Sequence, residues 1–255
     1  ILLGRGDGTF TPGTTVQTGG EPIAVAAGDL NGDGKVDLAV ADFINSVVVT
    51  FTGNGNGTFT SGGSVNAGFA PIDVAIADLN GDGKLDLVVV NGTRGSTTGQ
   101  TVTALLGNGN GSFGTPLAYA TGPSPYAVVI ADFNGDGKPD LAVASGDSNA
   151  VWIHLGHGDG TFAAAVSYGA GSYPDALAFA DFNGDGKLDL AVGNDFSNDV
   201  SVLLGRGDGT FGPALNFPAG AGPATVSVAD FNGDGQPDLA IVNRFDDTIA
   251  LLLGN

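Results

Sequence analysis

The chain has 255 residues, with 27 Asp and Glu against 8 Lys and Arg for a formal net charge of -19, and it contains 45 Gly and no Cys. That acidic excess argues against a phosphate-binding surface and so against nucleic acid as a partner. No apolar run approaches the ~20 residues a membrane span needs, and disulfide staples and thiolate metal sites are excluded.

In chain order, "ILLG" at residues 1–4 and "GTFTPGTTVQT" from Gly8 read as the last two strands of a repeat whose beginning is missing. The chain thus starts inside a repeat, as a mature or excised piece would. "PIAVAAGD" then leads into "DLNGDGKVDL", which starts at Asp29, and "DLAVAD" follows. "SVVVTFTGNGNGTFT" gives a third strand, a Gly-rich turn at Gly53 to Gly57, and a fourth strand opening on Phe59. Short Val-, Ile- and Ala-rich runs bounded by Gly, Asn and Asp are strand signals, and no segment sustains a 3.6-residue period.

The same unit recurs. "DLNGDGKLDL" starts at Asp78, "DFNGDGKPDL" at Asp132, "DFNGDGKLDL" at Asp181 and "DFNGDGQPDL" at Asp230, at spacings of 49, 54, 49 and 49 residues. No linker or composition break separates the units, so residues 1–255 read as a single domain. Four antiparallel strands per unit, repeated around an axis, make an all-β fold, a β-propeller of four-stranded antiparallel blades. The rival is a stack of EF-hand loops, which place a bidentate Glu at loop position 12 inside a helix. Position 12 here is Val40, Val89, Val143, Val192 and Ile241, each in a strand pattern.

The loop spacing is nevertheless that of a calcium site. Positions 1, 3, 5 and 9 offer side-chain oxygens and position 7 a backbone carbonyl, hard donors suited to Ca²⁺ and less suited to Mg²⁺. The ligands expected are Asp29, Asn31, Asp33, Lys35 and Asp37; Asp78, Asn80, Asp82, Lys84 and Asp86; Asp132, Asn134, Asp136, Lys138 and Asp140; Asp181, Asn183, Asp185, Lys187 and Asp189; and Asp230, Asn232, Asp234, Gln236 and Asp238. Lys and Gln enter only through their carbonyls. Fifteen of the 27 acidic residues lie in these loops, and five bound ions would bring the formal charge to -9.

The repeated "ADFNGDGKxDLAV", the later "LLGxGDGTF" and the "GxxP" lead-in resemble the FG-GAP or VCBS repeat of integrin-α-type propellers, over nearly the whole chain. The resemblance implies an extracellular propeller whose loops between strands 1 and 2 hold Ca²⁺. Many such propellers have seven blades, whereas this chain has five units. The last unit supplies three strands through "TIALLLGN", and pairing it with the N-terminal strand would close a five-bladed ring and hide two edges. "ILLG" then duplicates "LLLG" at Leu251 to Gly254. That leaves either a surplus strand able to mediate self-association or a segment of a seven-bladed or longer array.

Strand alternation puts the Asp loops and Gly hairpins on one face and the variable loops on the other. Arg-Gly-Asp at 5–7 and 206–208 occupies a turn slot that elsewhere reads Asn-Gly-Asn or His-Gly-Asp, so it reads as turn chemistry rather than adhesion. On the opposite face Phe43 with Asn45, Asn194 with Phe196, and Asn243, Arg244 and Phe245 set aromatics beside polar groups. Tyr126 and Tyr173 join the same rim, and Arg94 lies in the longest of the variable loops. Aromatic faces beside amides, acids and Arg suit a sugar ring, although such aromatics also fill gaps between blades. His154 and His157 have no nucleophile motif nearby, and the loops claim most carboxylates. The expectation is a secreted or cell-surface calcium-binding, noncatalytic binding or adhesion module for an extracellular protein or glycan. Alternatives are a lectin-like propeller, a structural subunit of a surface assembly or filament and, least favoured, an enzyme domain.

Overall fold

The structure, a computed structural model, describes residues 1–93, 95 and 98–255. An N-terminal hairpin, β1 (Leu2–Gly4) and β2 (Phe10–Pro12), precedes the first blade of β3 (Pro22–Gly28), β4 (Asp37–Asp42), β5 (Val47–Gly53) and β6 (Phe59–Asn66). The second blade is β7 (Pro71–Ala77), β8 (Asp86–Asn91), β9 (Thr101–Leu105) and β10 (Leu117–Ala120). The third is β11 (Pro125–Ala131), β12 (Asp140–Ser145), β13 (Ala150–His154) and β14 (Val166–Gly169), with a single 3₁₀ turn at Gly146–Ser148. The fourth is β15 (Pro174–Ala180), β16 (Asp189–Asn194), β17 (Asp199–Leu203) and β18 (Leu215–Pro218). The fifth, β19 (Pro223–Ala229), β20 (Asp238–Asn243) and β21 (Thr248–Leu252), has three strands.

Each blade is an antiparallel meander, and the first strand of each touches the first strand of the next. Those first strands are therefore the innermost, as in a propeller. The second strand is sandwiched between blades, which is why it reads as a nearly continuous apolar run: β8, β12 and β16 are buried at every position. The cores lie at the blade junctions, for example Leu79, Val88, Val128 and Leu141 between the second and third blades.

The expected closure is not made. β2 stays in its hairpin with β1, Leu3 sits against Gly57 of the first blade, and among the described residues no strand pairs with the outer edge of β21. Leu106 and Leu155 sit in the same way against Gly160 and Gly209 of the blades that follow them. The N-terminal hairpin therefore takes the place of the outer half of a preceding blade, and this seat holds it away from β21.

Every first strand carries a bulge just after its opening proline, at Ile23, Ile72, Tyr126, Asp175 and Ala224. A bulge re-aims the side chain it carries. This slot therefore varies the chemistry of the inner rim without disturbing the blade.

Candidate functional site

The five Asp loops share one wiring. In the first, Asp29 Oδ1 accepts from the Gly32 and Asp33 N–H groups, and Oδ2 from Gly34 N–H at 2.8 Å. Asn31 Oδ1 accepts from Asp33 N–H and Asp33 Oδ1 from Lys35 N–H. Gly32 and Gly34 take φ of +75° and +81°, left-handed conformations that a side chain would disfavour. The Lys35 ammonium closes on Asp33 at 2.9 Å, and the equivalent pairs recur in the next three loops, while Gln236 replaces the Lys in the fifth. The Lys35 side-chain hydrogen bond holds the Asp33 carboxyl below its ordinary range. These pairs are solvated and add little stability.

Position 9 behaves differently. Asp37, Asp86, Asp140, Asp189 and Asp238 are all buried. One oxygen of each accepts from the N–H at loop position 2 (Leu30, Leu79, Phe133, Phe182, Phe231). The other accepts from a glycine N–H at the end of the third strand (Gly53, Gly107, Gly156, Gly205, Gly254). Burial pushes the carboxyls of Asp86, Asp140 and Asp189 up, opposed by these two donors. Position 9 thus staples the Asp loop to the Gly hairpin, a role that ligand spacing alone did not reveal. The Lys84 stem lies on Gly109 and the Lys138 stem on Gly158, so loop and hairpin share a face. Among the described residues, no three acidic or histidine side chains converge closely enough to hold a metal as they stand.

On the opposite face the structure gathers part of the expected rim. Tyr126 and Tyr173 hydroxyls are 2.8 Å apart, and Tyr173 stacks on Phe196 with ring centroids 4.5 Å apart. Tyr173 is buried yet holds φ of +61° immediately before Pro174, an uncommon conformation for a bulky residue. Arg244 reaches from the fifth blade to the fourth, donating to Asp175 and Asp195, and lies over Phe245 at 5.4 Å. Phe196 and Phe245 are exposed.

Other expected residues serve the scaffold. Asn194 is buried and donates to Asp199 and Ser201; Asn243 is buried and donates to Thr248. Asn45 binds Asp42 in the first blade, beside half-buried Phe43. Arg94 lies outside the described residues. In both Arg-Gly-Asp turns the Asp accepts from the N–H of the Thr two residues beyond it, Thr9 and Thr210, as Asp159 does from Thr161 in its own turn. His154 is buried, and desolvation lowers its proton affinity while its hydrogen bond with Ala163 O opposes that.

Asp175 and Asp195 were not anticipated. Asp175 fills the bulge slot that is Ile, Ile, Tyr or Ala in the other blades, and that substitution is the signal in the sequence. Its side chain is only 7% exposed, and its Oδ1 has no hydrogen-bond partner among the described residues. Burial raises its pKa to about 7, with Arg244 pulling it down and Asp195 pushing it up.

Comparison with known proteins agrees with this architecture. Similar solved structures include an Agrocybe aegerita lectin specific for non-reducing terminal N-acetylglucosamine, at 21% identity and TM-score 0.57, over 91% of this chain and 63% of that one. A proposed 6-phosphogluconolactonase from Bacteroides uniformis matches at 17% identity and TM-score 0.65, over 96% of this chain and 74% of that one. The V. cholerae biofilm matrix protein Bap1 matches at 23% identity and TM-score 0.50, over 91% of this chain and 37% of its own. This chain therefore spans less than two thirds of the lectin and of Bap1, and at these identities the likeness is one of fold. No curated protein matches the chain. The FG-GAP-like repeat model matches residues 1–40, 29–89, 90–143, 132–192 and 181–241, and the chain belongs to the FG-GAP-like repeat family.

Proposed function

We propose that this chain is an extracellular, noncatalytic binding module, stabilised by calcium on one face and recognising a glycan on the other. The observation that carries the glycan reading is the Tyr126, Tyr173 and Phe196 series beside Arg244, Asp175 and Asp195. Aromatic rings take the apolar face of a sugar, and acids and Arg take its hydroxyls. The likeness to a lectin fold is consistent with this. The likeness to a biofilm matrix protein supports adhesion to an extracellular protein as the second reading.

Calcium suits the donor set. Each loop offers carboxylates, an amide and carbonyls around a backbone already curled by its own side chains. In the first four loops binding requires the position 5 carboxylate to leave its Lys, an exposed pair that costs little to open. The ion would hold the hairpin between the first two strands and relieve the crowding of three Asp per loop. The noncatalytic reading rests on the commitments already made: position 9 carboxylates bind backbone, and His154 is buried.

The test is a glycan array in calcium, with a chelated control and a Phe196→Ala, Phe245→Ala variant. Specific binding lost in the variant at unchanged melting temperature supports the reading; silence across a broad array rejects the glycan and leaves a protein partner.

A further inference from the structure

At three blade junctions an aromatic from the Gly hairpin of one blade packs against the blade before it: Phe113, Phe162 and Phe211. Two of the three meet a tyrosine from the outermost strand of that preceding blade. Tyr119 stands edge-on to Phe162 with ring centroids 5.5 Å apart, and Tyr168 to Phe211 at 5.4 Å. Tyr119 Oη also accepts from Phe162 N–H at 3.2 Å. The two phenylalanines are 6% and 3% exposed.

The first junction lies between two blades that each have all four strands, and it departs from this pattern. Strand register identifies the equivalent residues: Val65 pairs with Val48 as Tyr119 pairs with Val102 and Tyr168 with Val151. One pair along, Gly63 faces Thr50 where Leu117 faces Ala104 and Val166 faces Ile153. Valine thus replaces a tyrosine and glycine a branched aliphatic residue, on the side of β6 that meets the second blade.

The space is not refilled. A cleft of about 250 Å³ remains, lined by Thr50, Gly63, Val65, Ser112 and Phe113, among others. Phe113 is left half-buried. Its N–H points out of the hairpin ladder, as Phe162 N–H does, but has no acceptor among the described residues. Thr50 is only 6% exposed, and its hydroxyl, beside Gly62 on the cleft wall, also has no hydrogen-bond partner among the described residues. The wall is apolar at that position in the next two blades, where Ala104 and Ile153 stand. An unfilled core position costs stability, and a polar group in its wall adds to that cost. An aromatic floor with two free polar groups is instead the make-up of a binding site.

We propose that this cleft binds a single phenolic ring. The ring stands edge-on to Phe113 in the place that tyrosine holds at the next two junctions, a favoured aromatic geometry, and its oxygen accepts from Phe113 N–H. The size fits: a cavity of about 150 Å³ takes one benzene ring, whereas sites for drug-sized molecules begin near roughly 300 Å³. Thr50 adds a hydroxyl that the other junctions lack. The proposal depends on neither calcium nor the glycan, since the cleft lies away from both the Asp loops and the aromatic rim.

The test titrates p-cresol, the tyrosine side chain without its backbone, into the isotope-labelled chain while backbone amide resonances are followed. Toluene serves as the match without the hydroxyl, and N-acetyltyrosinamide as the same ring carried on a peptide unit. The expected result is a shift of the Ser64, Val65, Ser112 and Phe113 amides, largest at Phe113, with a Kd on the order of 1 mM. Toluene should bind about three- to tenfold more weakly, the worth of one hydrogen bond. Val65→Tyr supplies the ring from the chain itself and should abolish the shifts and raise the melting temperature. Binding of N-acetyltyrosinamide as well identifies the occupant as a tyrosine of a partner protein; its exclusion while p-cresol binds identifies a free small phenol. Unmoved amides around the cleft up to the solubility of p-cresol overturn the proposal, as does toluene binding equally well, or shifts that persist in folded Val65→Tyr. Should that variant not fold, the wild-type amide map and the toluene comparison decide.

Discussion

Asp189 and Gly205 are joined across their blade: Gly205 N–H donates to Asp189 Oδ1 at 2.8 Å, while Phe182 N–H donates to Oδ2 at 3.0 Å. Asp189→Ala leaves two buried donors unpaired and is expected to cost on the order of 3 kcal/mol, with Asp189→Asn milder because one acceptor survives. Chemical denaturation should be run with and without a chelator. A loss that persists in chelator confirms the staple as a contact independent of metal; a loss seen only with calcium present reduces Asp189 to a ligand.

Gly205 also tests close approach. A Cβ there would collide with the Leu188 carbonyl oxygen, as at the equivalent Gly107 and Gly156, whereas a Cβ at Gly169 meets nothing. Gly205→Ala is expected to lower the melting temperature sharply. Gly169→Ala should stay within about 0.5 kcal/mol of wild type. Equal melts for the two would contradict the packing described.

Asp175 makes a pH prediction. Its pKa is raised from 3.8 to about 7 in the folded chain, first by burial, with Arg244 opposing and Asp195 adding to the rise. Between those values the folded chain holds a proton that the unfolded chain releases, so this group's contribution is greatest below the unfolded pKa and declines as pH rises toward 7. Asp175→Asn removes that decline and leaves Arg244 paired with Asp195. Unfolding free energies measured from pH 4 to 8 should therefore diverge between wild type and variant by a few kcal/mol. Parallel curves would show that Asp175 titrates normally.

On the rim, Arg244→Ala is expected to weaken glycan binding at least as much as Phe245→Ala, since Arg244 both supplies donors and holds Asp175 and Asp195. Glycan titration of each variant checks this, and undiminished binding in Arg244→Ala would move the site elsewhere on the face.

The repeat, the four strands per blade and the Asp loop were legible because each depends on local spacing: alternation, turn residues, and a motif copied five times. Closure was not, because it turns on which of two equivalent strands, β1 or β21, holds β2, and their sequences are nearly alike. The inward turn of Asp37 and its equivalents was hidden too, since spacing names a carboxylate without saying which side of the hairpin it faces. Tyr126, Tyr173 and Phe196 stand out in the sequence as aromatics of the variable loops and strand entries, whereas Asp175 does not, because its meaning lies in comparison with Ile23, Ile72 and Ala224 at the same bulge.

Calcium stoichiometry tests most directly whether the five Asp loops are metal sites. Metal-free chain, verified as such, is titrated with Ca²⁺ by calorimetry, with thermal melts at each end. About five ions per chain are expected to bind, one per Asp loop, with a substantial rise in melting temperature, because a ligand that binds only the folded state stabilises it. No binding heat and an unchanged melt would contradict this expectation, and would leave the loops as turns held by their own Asp and Asn side chains.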